Sequence, residues 1–378
     1  MKTRILEVCY GFGYGGIRAF IINCLENIDK TRFQIDIYAF GTNESPFTEK
    51  VKELGGNIYF EPENNVRHIQ RFIRQLEMFM KEHGPYDVVH ANCNLISAWV
   101  LLAAKRASVP IRLSHSHSAS HFDGGLVQKA YSYLRRFLID RLATTKLACG
   151  QLAGETMYGK DAKFTIINNG INVERFLYPN LEKVKELRKS FNIPEGIKVY
   201  ANVTRFDPPK NLEFAVEVFN EIHKIEPNSI LLLGGVIPTI SSTDNIVKKK
   251  IDNYGLNDFV RLTGPIMEVE HLYHLTDLWI YCSTFEGLPF GPIELQAAGV
   301  PCLASDVITN EIDLGLGLVE FMSLNDTPLL WAKRAISMKK NQINENKIRK
   351  VFITNHFDIK VSVRALEKVF KKEISLNQ

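Results

Sequence analysis

Short apolar runs alternate with longer stretches of helical periodicity along the whole chain. Residues 5–10, ILEVCY, read as a strand, and residues 16–27 carry a helical pattern. FQIDIYAF at 33–40 is a second strand and 47–54 a second helix. The alternation continues through NIYFEP at 57–62, an amphipathic helix over 66–83, the strand YDVVHA and a helix over 96–106. The strands IRLSHS, KLACG and FTIINNG close this first series. Strand followed by helix, repeated, is the pattern of βαβ units and of a parallel sheet.

After Asn172 the chain turns polar and helix-forming until Pro194 and Gly196, and a second βαβ series then begins at KVYANVTRF. It runs through a helix at 212–225, SILLLGG, a helix at 245–254, FVRLTG, a helix at 269–276, LWIYCS, a helix opening near Pro292, and VPCLAS. Continuous apolar strands such as ILLLGG suit a sheet covered on both faces. Two α/β domains are expected, 1–178 and 179–354, each a Rossmann-like doubly wound sheet. A C-terminal amphipathic helix within about 355–378 should pack back onto the first domain. Such sheets bind ligands at the carboxyl ends of their strands, so the chemistry is expected in loops there, facing a common cleft.

Composition agrees with this picture. A chain of 378 residues exceeds one ordinary core and suits two, and 45% hydrophobic with 23% charged residues is a globular balance. A net charge of +4, from 46 basic and 42 acidic residues, gives no field for nucleic acid. Cys9, Cys24, Cys93, Cys149, Cys282 and Cys302 are scattered without metal-ligand spacing and read as buried free thiols of a reducing compartment. The N-terminal run is broken by Glu7 and followed by glycines, which fits a first strand better than a signal peptide. With no uninterrupted apolar run long enough to span a bilayer, a cytoplasmic protein is expected, peripheral contact with the inner membrane face remaining open.

The first βα turn, Gly11-Phe12-Gly13-Tyr14-Gly15-Gly16, places glycines between a strand and a helix N-terminus, where backbone N–H groups favour phosphate or carboxylate oxygens. A nicotinamide-dependent dehydrogenase would use the same loop with an acidic residue at the end of the second strand. Asp36 is at about that distance along the chain but sits early in its strand. A third reading is that the glycines only let the helix pack closely on the strand.

The densest chemistry lies at 283–301, Ser-Thr-Phe-Glu-Gly-Leu-Pro-Phe-Gly-Pro-Ile-Glu-Leu-Gln-Ala-Ala-Gly-Val-Pro. A strand ends in a turn rich in glycine and proline, and a helix follows, so backbone N–H groups converge into an anion site. Glu286 and Glu294 would repel a phosphate they faced, which suits them to sugar hydroxyls beside it. Arg205 and Lys210, at a strand-to-helix turn, supply two positive charges able to offset a diphosphate.

Glu286, seven intervening residues and Glu294, within FEGLPFGPIELQAAGVP, resemble the signature of the retaining glycosyltransferases of family four, which have the GT-B fold. The resemblance extends to GGIRAF at Gly15, to RFDPPKN at Arg205, to LTGPIMEVEHLYHLTDLWIYCS and to HSHS at His115. It is greatest to bacterial capsular and exopolysaccharide enzymes. It implies a hexosyl transfer from a nucleotide diphosphate sugar, a UDP-sugar in the first instance, to a growing or lipid-linked glycan. Arg205 and Lys210 would bind the diphosphate, with Gly15, Gly16 and the backbone of Gly287, Leu288, Pro289, Phe290 and Gly291. Glu294 would hold the ribose, Glu286 the donor sugar, and the backbone from Gly264 to Ile266 the base. A histidine at a strand end in the first domain, His117 or His115, would lie beside the sugar; period-two spacing puts both on one face. The chain departs from the family at Arg18, at Thr204 and at Val236-Ile237-Pro238.

No two aspartates are separated by one residue, the arrangement by which the other main glycosyltransferase fold holds a divalent metal, so neither metal nor other cofactor is expected. Two segments, 128–146 and 67–81, mix aromatic and basic residues at helical spacing and are candidates for an anionic membrane surface. A non-catalytic nucleotide-sugar binding module and a nucleotide-sugar isomerase remain alternatives on the same residues.

Overall fold

The computed structural model describes residues 1–42, 44–61, 68–118, 125–235, 243–340 and 342–372. Val66, Arg67 and the Val236-Ile237-Pro238 turn lie outside them. The chain divides into two compact units, one of Met1–Ile171 with His356–Gln378 and the other of Asn172–Asn355.

In the first unit the strands are β1 (Thr3–Tyr10), β2 (Phe33–Phe40), β3 (Asn57–Glu61), β4 (Val88–Asn92), β5 (Ile111–Ser116), β6 (Thr145–Ala148) and β7 (Thr165–Ile166). The intervening helices are α1 (Gly16–Asn27), α2 (Thr48–Glu53), α3 (Ile69–His83), α4 (Ser97–Arg106), α5 (Leu126–Leu142) and α6 (Gln151–Tyr158). All described strand pairs are parallel, in the order β3-β2-β1-β4-β5-β6-β7. The order reverses between β1 and β4, which makes their carboxyl ends the topological switch point. The apolar stripe of α3 (Phe72, Ile73, Leu76 and Met80) is buried in the core with α4, whose small and branched residues are buried almost all round.

The second unit begins with α7 (Val173–Leu177) and α8 (Leu181–Ser190). Its strands are β8 (Lys198–Val203), β9 (Ser229–Gly234), β10 (Val260–Leu262), β11 (Leu278–Tyr281), β12 (Cys302–Ser305) and β13 (Val319–Met322). The helices between and after them are α9 (Leu212–Ile225), α10 (Thr243–Asn253), α11 (Val269–Leu275), α12 (Phe290–Ala297), α13 (Pro328–Ser337) and α14 (Glu345–Thr354). This sheet is also parallel, ordered β10-β9-β8-β11-β12-β13, with its reversal between β8 and β11. Two doubly wound parallel sheets are the architecture expected from the alternating pattern. All six cysteines are free and buried.

Two boundaries differ from the sequence reading. The change of unit falls after Ile171 rather than near Tyr178, because α7 belongs with the second unit: Arg175 pairs with Glu270 at 2.7 Å and Phe176 packs on Tyr273. The expected strand FTIINNG shrinks to Thr165–Ile166, because the chain leaves the sheet to meet the last helix, α15 (Ile359–Phe370).

That helix docks on α1 and belongs to the first unit. Ile171 forms an isolated parallel bridge with Asp358, and Glu367 Oε1 accepts from the Asp29 amide at 2.9 Å. Gly170 is the close point: a Cβ there would lie 2.5 Å from Ser362 Oγ and 2.9 Å from Ile359 Cα. Backbone cannot retreat as a flexible side chain can, so Gly170→Ala should lower the stability of the first unit by about 1–3 kcal/mol, read by denaturant unfolding.

Candidate active site

In the second unit the chemistry gathers at the β8/β11 switch point. β8 ends at Val203, and Thr204 to Lys210 lead into α9; β11 ends at Tyr281, and Cys282 to Pro289 lead into α12. The two loops are tied where the Thr284 amide donates to the Pro209 carbonyl at 2.8 Å. Gly235 holds the β8 loop against the end of β9: its φ is +130°, and a Cβ would lie 2.0 Å from the Thr204 carbonyl oxygen, so only glycine fits.

Across this junction Lys210 Nζ meets Glu286 Oε1 at 2.5 Å, both side chains mostly buried. The same oxygen accepts from Tyr281 Oη at 2.8 Å and Ser283 Oγ at 3.0 Å. Glu294, on α12, accepts from Tyr273 Oη at 2.7 Å. Burial and the adjacent carboxylates push both phenols far above their ordinary pKa, so each stays a donor and orients its glutamate. Gly291 sits over these two tyrosines, with its Cβ position 3.6 Å from the Tyr281 ring. Gly287, Leu288, Pro289 and Phe290 form the turn and helix start, where N–H groups of the first turn lack intrahelical acceptors. Pro292 costs nothing there, since its missing N–H is one of these.

Arg205 is not drawn into the Lys210–Glu286 pair. Its guanidinium, half exposed, meets Asp207 of its own loop at 3.0 Å. Gly264 and Ile266 lie in the loop after β10, separated from β8 by β9, with Gly264 at φ +62°.

In the first unit the glycine loop joins β1 to α1. A Cβ at Gly11, Gly13 or Gly15 would meet nothing within 4 Å, so tight helix-on-strand packing does not explain these three glycines. Gly16 opens α1. Asp36 is buried and engaged by Arg4 at 2.9 Å, Asn57 at 2.8 Å and Tyr86 at 3.0 Å, which removes it as the ribose-binding acid of a dehydrogenase. Arg18 lies over the Phe47 ring at 4.1 Å.

His115 and His117 share a face, their ring centroids 4.0 Å apart against Phe20 of α1. They belong to a larger polar cluster. Glu7, on β1, stands opposite His90, on β4, in the strand register. Glu7 Oε1 lies 3.0 Å from His90 Nδ1, and His90 Nε2 lies 3.0 Å from His115 Nδ1. The Asn92 amide donates to Glu7 Oε2 at 2.7 Å and to the His90 carbonyl at 3.2 Å, while its Oδ1 is 2.8 Å from His117 Nε2. Glu7, His90, Asn92 and His115 are inaccessible to solvent, and Phe370 of α15 packs on His90. Burial drives His115 well below the ordinary histidine pKa, helped by His117 and His90. Burial likewise takes His117 to about 3, with His90 adding to the shift and the Asn169 side chain opposing it. Both rings are therefore neutral near pH 7.

Sequence reasoning named the two histidines but missed Glu7, His90, Asn92, Tyr273 and Tyr281. The signal for His90 and Asn92 was available, since polar residues two apart within an apolar parallel strand share a face, whereas Glu7 showed only as a break in an apolar run.

Among the described residues one group has metal-ligand geometry, Glu268, Glu270 and His271, with ligand atoms within 4.8 Å of one another. Lys183 already meets Glu268 at 2.5 Å, and Arg175 meets Glu270. Two of the three members are thus paired with protein cations.

Two parallel-sheet Rossmann-like units, each with polar residues at its switch point, define the GT-B class of glycosyltransferases. The solved structure of Anabaena HepE in complex with UDP and glucose has the same fold, with TM-score 0.81 at 16% identity, covering 98% of this chain and 100% of that one. Residues 14–175 match the family model described as Glycosyltransferase Family 4, and residues 183–312 the model described as Glycosyl transferases group 1. The chain thus carries the glycosyltransferase domains that these two models describe, one in each unit. It is similar to EpsF of Bacillus subtilis, which is named as a glycosyltransferase, at 29% identity over 88% of this chain and 86% of the relative. It is also similar to the capsular polysaccharide biosynthesis glycosyltransferase CapH of Staphylococcus aureus, at 21% identity over 97% of this chain and 98% of that one.

The neutral histidines carry a stability signature. An unfolded chain binds protons at His115 and His117 near the ordinary value of 6.5, whereas folded His117 resists until about 3. The unfolded state then holds more protons, so stability should fall as pH drops from about 6.5 toward 3. Urea unfolding should show this loss in the native protein and a shallower pH slope in His117→Gln.

Proposed function

We propose that the protein is a retaining, metal-independent hexosyltransferase that uses a UDP-sugar and extends a lipid-linked or growing glycan in capsular or exopolysaccharide synthesis. The observation that carries this reading is the Lys210–Glu286 pair in the loop that leads into α12, an ammonium and a carboxylate just ahead of a helix start with no side-chain cap. Catalysis here is the stabilisation of a leaving diphosphate. Lys210 and the N–H groups of the α12 turn draw negative charge toward themselves as the bond to the anomeric carbon lengthens. Arg205 joins them by exchanging Asp207 for a phosphate oxygen, a stronger partner for a guanidinium.

Glu286, oriented by Tyr281 and Ser283, accepts from donor-sugar hydroxyls, and Glu294, oriented by Tyr273, accepts from the ribose. The loop at Gly264 to Ile266 faces the base. Gly15 and Gly16 bring backbone N–H groups close to the diphosphate, and His117, with His115 behind it, lies beside the reacting sugar. HepE is known with UDP and glucose bound, and the relatives' names place them in glycan synthesis, which supports a UDP-sugar and a glycan acceptor. These cations do the work that a divalent metal does in other transferases.

The test is transfer from UDP-hexoses by purified protein in the presence of a chelator, with the anomeric configuration of the product determined. Transfer with retention is expected, and Lys210→Ala or Arg205→Ala should slow it by about 100-fold or more. Abolition by chelator, or donor hydrolysis and isomerisation without transfer, would refute the reading.

The membrane side rests on α5. Leu126, Val127, Tyr133, Leu134 and Phe137 are exposed along it, with Arg136 and Arg141 alongside. The other candidate, 67–81, is withdrawn, since the apolar stripe of α3 faces the core. An exposed apolar stripe beside arginines matches an anionic lipid surface, where a lipid-linked acceptor resides. The protein should float with vesicles containing phosphatidylglycerol at low salt, and Leu134→Ser with Phe137→Ser should abolish flotation while transfer to a soluble acceptor persists.

A further inference from the structure

Glu7 lies at the bottom of the histidine cluster, inaccessible to solvent; both of its oxygens lie 3.0 Å from His90 Nδ1, and Oε2 also accepts from the Asn92 amide. A carboxylate in this position is an acceptor only, and hydrogen-bond direction propagates outward from it. On one arm, the Asn92 amide nitrogen faces two pure acceptors, Glu7 Oε2 and the His90 carbonyl, which fixes the orientation of the side chain. Its Oδ1 must then accept, so the proton of neutral His117 is on Nε2, and Nδ1 carries the lone pair. On the other arm, Glu7 Oε1 requires the proton of His90 on Nδ1. With that single proton on His90, its Nε2 accepts from His115 Nδ1, and His115 Nε2, which has no hydrogen-bond partner among the described residues, is left unprotonated.

We propose that Glu7 is a positioning residue that, through Asn92 and His90, sets the ring orientation and tautomer of His117 and His115 for glycosyl transfer. The proposal rests on the reading that these histidines lie beside the reacting sugar. Phe20 packs on all three rings and Phe370 on His90, which holds the rings against Glu7 and Asn92, and the Asn169 side chain is a further polar group acting on His117. A tautomer held in this way costs no reorganisation when the transition state forms.

A glutamine oxygen at the Oε2 position could still accept from Asn92 and His90 together, whereas leucine keeps the bulk and removes both acceptors. In Glu7→Leu the Asn92 arm should survive, because the His90 carbonyl still pins the Asn92 amide. With no acceptor left at Nδ1, His90 should move its proton to Nε2. His115 should in turn accept at Nδ1 and carry its proton on Nε2. His117 should be unchanged.

Long-range nitrogen–proton NMR of the imidazole rings in the full-length protein reads each tautomer directly. In the native protein, unprotonated-nitrogen signals are expected at His117 Nδ1 and His115 Nε2; in Glu7→Leu the His115 signal should switch nitrogens and that of His117 should stay. The same variant should lower kcat by about tenfold to 100-fold with the donor KM unchanged, since the proposed donor contacts of Lys210 and Glu286 are untouched. A native His117 protonated at Nδ1, a native His90 protonated on both nitrogens, or an unswitched His115 in the variant would overturn the proposal. An unchanged kcat alongside a switched His115 would overturn the positioning role. If Glu7→Leu does not fold, the native spectrum decides alone. Absence of transfer by the native protein would sink the proposed function, while the tautomers would still be read.

Discussion

Parallel pairing at two strand junctions, β1 with β4 and β8 with β11, is the constraint on which the rest of the structure depends. All strands of a sheet run the same way and the order reverses at one point, so consecutive helices leave to either side and expose the carboxyl ends there. Polar groups can then stand at the end of an otherwise apolar sheet without burying unpaired atoms throughout the core. Glu7, His90 and Asn92 use the first junction; Lys210 and Glu286 use the second.

The two junctions treat their charges differently. At the second, Glu286 gathers one ammonium and two hydroxyl donors at a partly open surface, where partners can be exchanged for a ligand. At the first, the carboxylate is sealed beneath strands and helices, and every donor it meets belongs to the protein. An enclosed acceptor fixes geometry, whereas a half-enclosed one can change partners, and a transferase has use for both.

How much of this was legible in the sequence depends on the kind of signal. The parallel sheets followed from strand–helix alternation, and the Glu286–Glu294 turn from its density of glycine, proline and carboxylate. Lys210 stood out by its place after a strand, and the structure sets it on Glu286. Arg205, similarly placed, turns to Asp207, a contact inside a short loop that spacing cannot rank. Glu7 was visible only as an interruption in an apolar run. Its meaning depends on which strand lies beside β1, and strand order is a long-range property that local pattern does not encode. The sequence reading also passed over β13, α13 and α14, which follow the motif-bearing half of the second unit. The early end of β7 had a different cause, the demand of Gly170 and Ile171 for contact with α15.

The docking of α15 on α1 has a consequence for biosynthesis. The layer that covers His90 with Phe370 is encoded after the whole second unit. A nascent first unit leaves the ribosome with His90 and the flank of α1 uncovered on that side, and it waits through translation of the second unit before the missing layer arrives. Closure of the first core is thus tied to synthesis of the segment beyond the second unit, and termination ahead of α15 would yield a protein with an intact second unit and an unsealed first one.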